Sequence, residues 1–349
     1  MTGQRKKTRG ESPHLSGSFM RIPTQFPLHP APPVLEAGGV PFTPCTPSRS
    51  HSMQSWRGAR ESSFHHTCQS HARKNQLTSF LAWLAADPSR RSALYFASDS
   101  RVTFEDGSHR DDCIKLFCPK SSPDIFAMVG YIRFPDLALP TICSEIDQGL
   151  MPKELTTATG RIDWVSARLK AMKEAQPGGG TFMIFHASRD AYAELSTFAL
   201  TRHRYASADG TWLREDYGLY KSDSHAIECD GSGGVVIRNS IGPVTFKIGE
   251  VSRAYFQAFC KALKNPSGDS ASGGAPQLLG LGSVGVGRHY GVQTGSGEFF
   301  QGRPASFDGV PSGTQWRDEE FAQVGPKGRL MKNRDRKKIK GKKRPPKGS

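Results

Sequence analysis

Apolar positions run along this chain in blocks whose period and length sort them into elements. From Thr78 to Ala85 they are almost uninterrupted, as in a strand covered on both faces. Asp87-Pro88-Ser89-Arg90-Arg91 is a turn, and Ala93–Asp99 is a second apolar run, so the pair predicts a hairpin. Val102–Phe104 and Cys113–Phe117 read as short strands around Glu105-Asp106-Gly107, and Ile125–Gly130 as an apolar strand ending at glycine. Helical spacing then takes over, in Pro135–Asp147 and again in Ile162–Ala175, until Gly178-Gly179-Gly180 breaks it. Thr181–His186 and Tyr192–Leu200 predict paired strands. A polar stretch holding Trp212 and Tyr217 leads to Ile227–Asp230 and the Gly231–Gly234 turn. The segment between Ser232 and Val251 reads poorly as a helix, because it holds Pro243 and many β-branched residues. Val251–Leu263 is a clear helix, and Gln277–Leu281, His289–Val292 and Glu298–Gln301 are closing strands. Short turns join neighbouring strands, which predicts an α+β sandwich of largely antiparallel sheets with the helices in layers. No dinucleotide-binding or phosphate-binding glycine loop lies between a strand and a helix; Gly282-x-x-Gly285-x-Gly287 precedes a strand and reads as a loop.

Composition divides the chain further. Residues 1–76 hold 9 of the 24 Pro and no apolar period, so a structureless leader is expected there. Residues 327–349 carry 12 Lys/Arg against 1 Asp/Glu, which predicts a disordered basic tail. The net charge of +15 therefore belongs to the ends, and the domain expected at 77–326 is nearly neutral. That argues against nucleic-acid binding as the main function and leaves weak, non-specific polyanion binding to the tail. His65, His66 and His71, with Cys68 among them, lie in the patternless leader and read as a solvated tail, so no metal is expected, and no cofactor either. The 7 Cys form no C-x-x-C pair, which fits scattered thiols in a reducing compartment, the cytoplasm. No apolar run is long enough to cross a membrane as a helix, and no secretory signal opens the chain.

Several short patches carry candidate chemistry. Taken singly, each has an ordinary reading: Asp99 and Lys115 as a structural ion pair, Gly231-Ser232-Gly233-Gly234 as a plain turn, Asp269-x-x-Ser272 as a loop or helix end. Cys113 and Cys118 beside Lys115 read as core residues rather than nucleophiles. No Ser/His/Asp arrangement is legible. Taken in order, the patches resemble the N-terminal-nucleophile (Ntn) peptidases of the proteasome β-subunit and HslV type. Thr78-Ser79 stands where that family's mature chain begins. Ala97-Ser98-Asp99 ends the second strand, and Lys115 follows 16 residues after Asp99. Val129-Gly130 ends a further strand. Ser232 sits in the glycine turn, and Asp269-Ser270-Ala271-Ser272-Gly273-Gly274 starts 37 residues beyond it.

The resemblance implies a four-layer αββα sandwich and a threonine peptidase or amidohydrolase with Thr78 as nucleophile. It implies that Asp99 pairs with Lys115, that the Gly130 N–H binds the oxyanion, and that Ser232, Asp269 and Ser272 ring the terminal amine. A peptide or protein substrate and a homo-oligomeric ring are implied with it; an ATPase partner is left open and unidentified. The chemistry needs a free amine at Thr78, since a threonine hydroxyl must have an adjacent base and an α-amine titrates near working pH. Leu77 precedes Thr78 where self-cleaving members of that family have glycine. Translation starting at codon 77, followed by loss of the initiator Met, would expose Thr78 without a cleaved leader. The alternative is a catalytically silent scaffold subunit with a blocked terminus.

Overall fold

The computed structural model describes residues 78–85, 92–104, 106–190, 197–218, 225–241, 251–265, 271–305 and 309–325. The expected leader, the basic tail and the 87–91 turn lie outside them. Two antiparallel sheets dominate. The first places β10 (His225–Asp230), β1 (Phe80–Ala85), β2 (Ala93–Ser98), β11 (Gln277–Gly282), β12 (Arg288–Thr294), β13 (Gly297–Phe300) and β14 (Arg303–Pro304) side by side. β15 (Trp316–Asp318) joins it by a parallel pairing with β12, and β16 (Gln323–Val324) pairs with β15. The second sheet runs β5 (Leu116–Phe117), β6 (Asp124–Gly130), β7 (Phe182–Arg189), β8 (Phe198–Ala206), β9 (Thr211–Tyr217). A two-residue hairpin pairs β3 (Val102–Thr103) with β4 (His109–Arg110). The chain is thus mixed α+β with mostly antiparallel sheets.

Burial explains the apolar runs. Successive side chains of a strand point to opposite faces. Phe80, Ala82 and Leu84 of β1 pack with Phe96, Leu279, Ile125, Phe185 and Leu200 in one core cluster shared by the two sheets. Leu81 and Trp83, on the other face of β1, pack with Ile237 of α3 (Gly234–Ile241) and with Tyr255, Phe256 and Phe259 of α4 (Val251–Lys264). The opposite face of the second sheet buries Phe126, Met128, Phe182 and Ile184 against α1 (Arg133–Asp147) and α2 (Ala158–Ala175), through Ala138, Leu139, Ile142, Val165 and Leu169. Both faces of β1 pack against apolar layers, which is why it reads Phe-Leu-Ala-Trp-Leu-Ala. Trp83 also stacks on Tyr95 at 5.2 Å and donates its indole N–H to Ser252 at 3.1 Å.

Several expectations are revised. α3 exists where the sequence argued against a helix. The preceding glycine turn starts it, with Ile237 N–H donating to the Gly233 carbonyl at 3.0 Å, and buried Ile237 anchors it. β8 begins at Phe198 and runs on to Ala206, later than the strand expected from Tyr192. The polar stretch with Trp212 and Tyr217 is an edge strand, β9; one face is solvated, so its Arg, Glu and Asp are tolerated. β3 takes β4 as its partner, and the Cys113–Phe117 run pairs with β6 only through Leu116 and Phe117. Among the described residues no helix is long and apolar enough to cross a membrane.

Candidate active site

The start of β1 is held from three sides by backbone. The register sets Phe80 opposite Ser98 on β2 and Asp230 on β10. Just before it, Asp99 N–H donates to the Ser79 carbonyl at 3.2 Å, and Gly233 N–H reaches the Thr78 carbonyl at 3.4 Å. The 231–233 turn lies so close to this segment that a Cβ on Gly231 would overlap the Thr78 carbonyl, and one on Gly233 would overlap the Ser79 hydroxyl. Gly231 also has φ +80°, a conformation that a side chain opposes. Glycines in this turn are what let it wrap Thr78-Ser79. Ser232 stands between them.

Asp99 leaves the end of β2 and Lys115 lies immediately before β5, and the two form a buried ion pair. The Lys115 Nζ sits 2.7 Å from Asp99 Oδ1, with the side chains 1% and 0% exposed. Lys115 also donates to the Arg101 carbonyl at 2.6 Å and approaches Thr78 Oγ1 at 3.4 Å. An ammonium has three hydrogens, and here three acceptors surround it. Lys115 is therefore placed as a donor beside the threonine hydroxyl. Asp99 is held as firmly. Oδ1 accepts from Ser79 N–H at 3.0 Å, and Oδ2 from Gly273 N–H at 3.1 Å and Arg101 N–H at 3.3 Å. Burial pushes the Asp99 carboxyl above its ordinary pKa, opposed by the charge and hydrogen bond of Lys115 and by the N–H groups of Gly273 and Ser79.

Thr78, Asp99 and Lys115 are thus brought together by direct contacts. Ser272 is buried and close by, since a Cβ on Gly233 would lie 3.1 Å from its hydroxyl; its neighbour Gly273 supplies the N–H to Asp99. Gly130 ends β6 opposite Phe182 with φ +87°, two residues beyond Met128, whose N–H donates to the Lys115 carbonyl at 3.0 Å. Asp269 lies outside the described residues, as do His65, His66 and His71. Burial first of all raises the thiol of Cys113 to about 11 and that of Cys118 to about 12, so both remain protonated and unreactive near neutral pH. Among the described residues no cluster of three His, Cys, Asp or Glu has a geometry for holding a metal.

Two participants were missed in the sequence. Ser79 contributes through its main chain, which carries no residue-type signal. Gln277 does leave a signal: it is the one polar side chain of Gln-Leu-Leu-Gly-Leu-Gly, a strand otherwise buried and apolar, and it is itself 1% exposed. A buried amide in such a strand must be hydrogen-bonded, and its partners are the segments that carry Asp99 and Lys115.

Comparison with known proteins corrects the family reading. No family model matches the chain, and no curated protein matches it. Among solved structures, a mutant of Anbu from Hyphomicrobium sp. strain MC1 aligns over 66% of this chain and 89% of that one, at 11% identity and a TM-score of 0.41. A likeness that distant establishes neither family nor function. The ordered motifs therefore do not make this chain a member of the proteasome β-subunit and HslV family. Short patches of Gly, Ser, Asp and Lys recur in unrelated proteins, and their order was weaker evidence than it looked. The geometry around Thr78 is what points to a function.

Proposed function

We propose that this protein is an amide hydrolase of the threonine-nucleophile class, acting on a peptide or protein substrate through Thr78 once Thr78 is the first residue of the chain. The observation that carries the reading is the donor set of Lys115. Its buried ammonium is fixed by Asp99 and the Arg101 carbonyl, and its third hydrogen is within reach of Thr78 Oγ1. Such a donor stabilises an oxyanion forming on the hydroxyl but does not remove the proton. The base is then the α-amine of Thr78 itself, whose ordinary pKa of about 7.7–8.0 suits the task; the nearby positive charge of Lys115 favours its neutral form.

In this reaction Thr78 Oγ1 attacks the amide carbonyl while its proton passes to the α-amine. The C–N bond breaks as that proton is returned to the leaving amine, and water then hydrolyses the threonyl ester. Asp99 holds Lys115 in place, and the Gly130 N–H stabilises the tetrahedral oxyanion. Ser232 and Ser272 relay protons at the amine, and Asp269 is the further candidate for that role. The core clusters support an αββα order of layers, with α3 and α4, the first sheet, the second sheet, and α1 and α2 in sequence. Thr78→Ala tests the reading. Its hydrolysis of a fluorogenic peptide library is expected to fall to background, and parent-like hydrolysis by this variant would remove Thr78 from the mechanism.

A further inference from the structure

We propose that Gln277 is a positioning residue for the Thr78 reaction, an amide clasp that sets the distance between Lys115 and the hydroxyl by tying together the two segments that carry Asp99 and Lys115. The inference rests on the threonine reading above. Gln277 opens β11, opposite Ser98 and so beside the end of β2. Its Nε2 donates to the carbonyl of Asp99 at 3.0 Å and to the carbonyl of Cys113 at 2.8 Å. Its Oε1 accepts from the N–H of Lys115 at 3.1 Å. Both amide hydrogens and the carbonyl are therefore spent on main chain, and all three partners belong to the ion pair or stand within two residues of it.

The clasp is needed because no strand pairing does this work. β2 has ended at Ser98 and β5 begins only at Leu116, so Asp99 and Cys113–Lys115 share no ladder; a single main-chain bond, Cys113 N–H to the Ser100 carbonyl at 3.0 Å, runs between the two segments. A side chain with two donors and one acceptor in a plane replaces the missing rungs. The amide is boxed in from behind by Gly302, on which a Cβ would lie 3.2 Å from Nε2. Ser100 makes a second tie, donating to the Asp111 carbonyl and accepting from Ala275 N–H, both at 2.8 Å. The Ser100 carbonyl also accepts from Cys113 N–H, but of the two residues only Gln277 binds the main chain of Lys115 itself. A catalytic donor set must be held to a fraction of an ångström, so loss of the clasp would show in chemistry more than in binding.

The test uses the mature protein, in the form whose chain begins at Thr78, and a hydrophobic β-lactone, which is opened by an attacking hydroxyl and leaves an ester detectable by mass. Gln277→Met keeps the length of the side chain and removes its hydrogen bonds. Gln277→Glu keeps its shape but has no donor while ionised. In both, the maximal acylation rate at Thr78 at pH 8 is expected to fall at least tenfold, with the half-saturating lactone concentration unchanged. For Gln277→Glu the ratio to the parent rate is expected to recover as pH falls to 5.5, where the protonated carboxyl regains one donor. A parent-like maximal rate in Gln277→Met overturns the proposal, as does a loss carried entirely by the half-saturating concentration. If Gln277→Met does not fold, Gln277→Glu decides by the same criteria; failure of both to fold assigns the amide to stability alone and also overturns it. Thr78→Ala separates the two ideas. If that variant is still acylated, the threonine reading fails; if it is inert while Gln277→Met matches the parent, only the clasp fails.

Discussion

Replacing Lys115 by Met is expected to destabilise the fold in a way that depends on pH. The Met side chain fills nearly the same space, so the change removes the charge and its hydrogen bonds with little loss of packing. What remains is Asp99, 0% exposed, with three backbone N–H donors but no cation. Breaking a buried pair from one side typically costs about 3–5 kcal/mol, because the surviving charge is stranded. The three N–H donors set the expectation toward the lower end at pH 8. The carboxyl has one escape, which is to bind a proton. Burial already raises its pKa, and loss of Lys115 raises it further. A carboxyl with a folded pKa above the unfolded value of about 3.9 binds more protons folded than unfolded, so stability rises as pH falls through the folded pKa. The Lys115→Met deficit is therefore largest at pH 8 and shrinks toward pH 5. Urea unfolding at pH 8, 7, 6 and 5, with the m-value checked for constancy, measures it. Adding Asp99→Asn should restore part of the loss at pH 8, because the stranded charge is gone, and the double-mutant cycle gives the coupling. A deficit below about 1 kcal/mol at pH 8, unchanged at pH 5, would refute the buried-pair argument.

Other perturbations probe the surroundings of the site. Gly231→Ala should cost more than about 2 kcal/mol in urea unfolding, since it adds a clash with the Thr78 carbonyl to a φ of +80°. Gly107→Ala, at φ +83° with nothing within 4 Å, should cost only about 1 kcal/mol. His203 is buried under α2 with neither ring nitrogen hydrogen-bonded among the described residues, and burial pulls its pKa down to about 3. A base whose folded pKa lies below its unfolded value loses stability as pH falls between the two. The parent should therefore weaken by up to about 1.4 kcal/mol per pH unit from this group below pH 6.5, and His203→Phe should flatten that slope in melts at pH 7 and pH 5. A slope unchanged by the substitution would place His203 in water.

Much of this architecture was legible because burial leaves its mark on composition. Phe80–Ala85 and Ile125–Gly130 read as strands because both faces pack against apolar neighbours and the runs are apolar throughout. The amphipathic stripe of α4 is equally plain, with Phe256 and Phe259 on its buried face. β9 was not legible: an edge strand with a wet face uses the residues of a loop, and Thr-Trp-Leu-Arg-Glu-Asp-Tyr has few apolar positions to count. α3 was missed because its stability comes from the turn before it and from Ile237 in the core, against its local propensity. At the site, the spacing of Asp99 and Lys115 was visible, and their pairing follows it. The reach of Lys115 to Thr78 and the bridging by Gln277 join residues 37 and 162 apart in sequence, and no local pattern encodes them. The motif order that suggested a family was legible too, and it led to a membership that no family model supports.

Treating the native protein with the β-lactone and mapping the adduct by peptide mass spectrometry tests the central claim most directly. The account predicts a single ester on a peptide whose first residue is Thr78. A chain in which Thr78 is preceded by Leu77 and carries no adduct would contradict it.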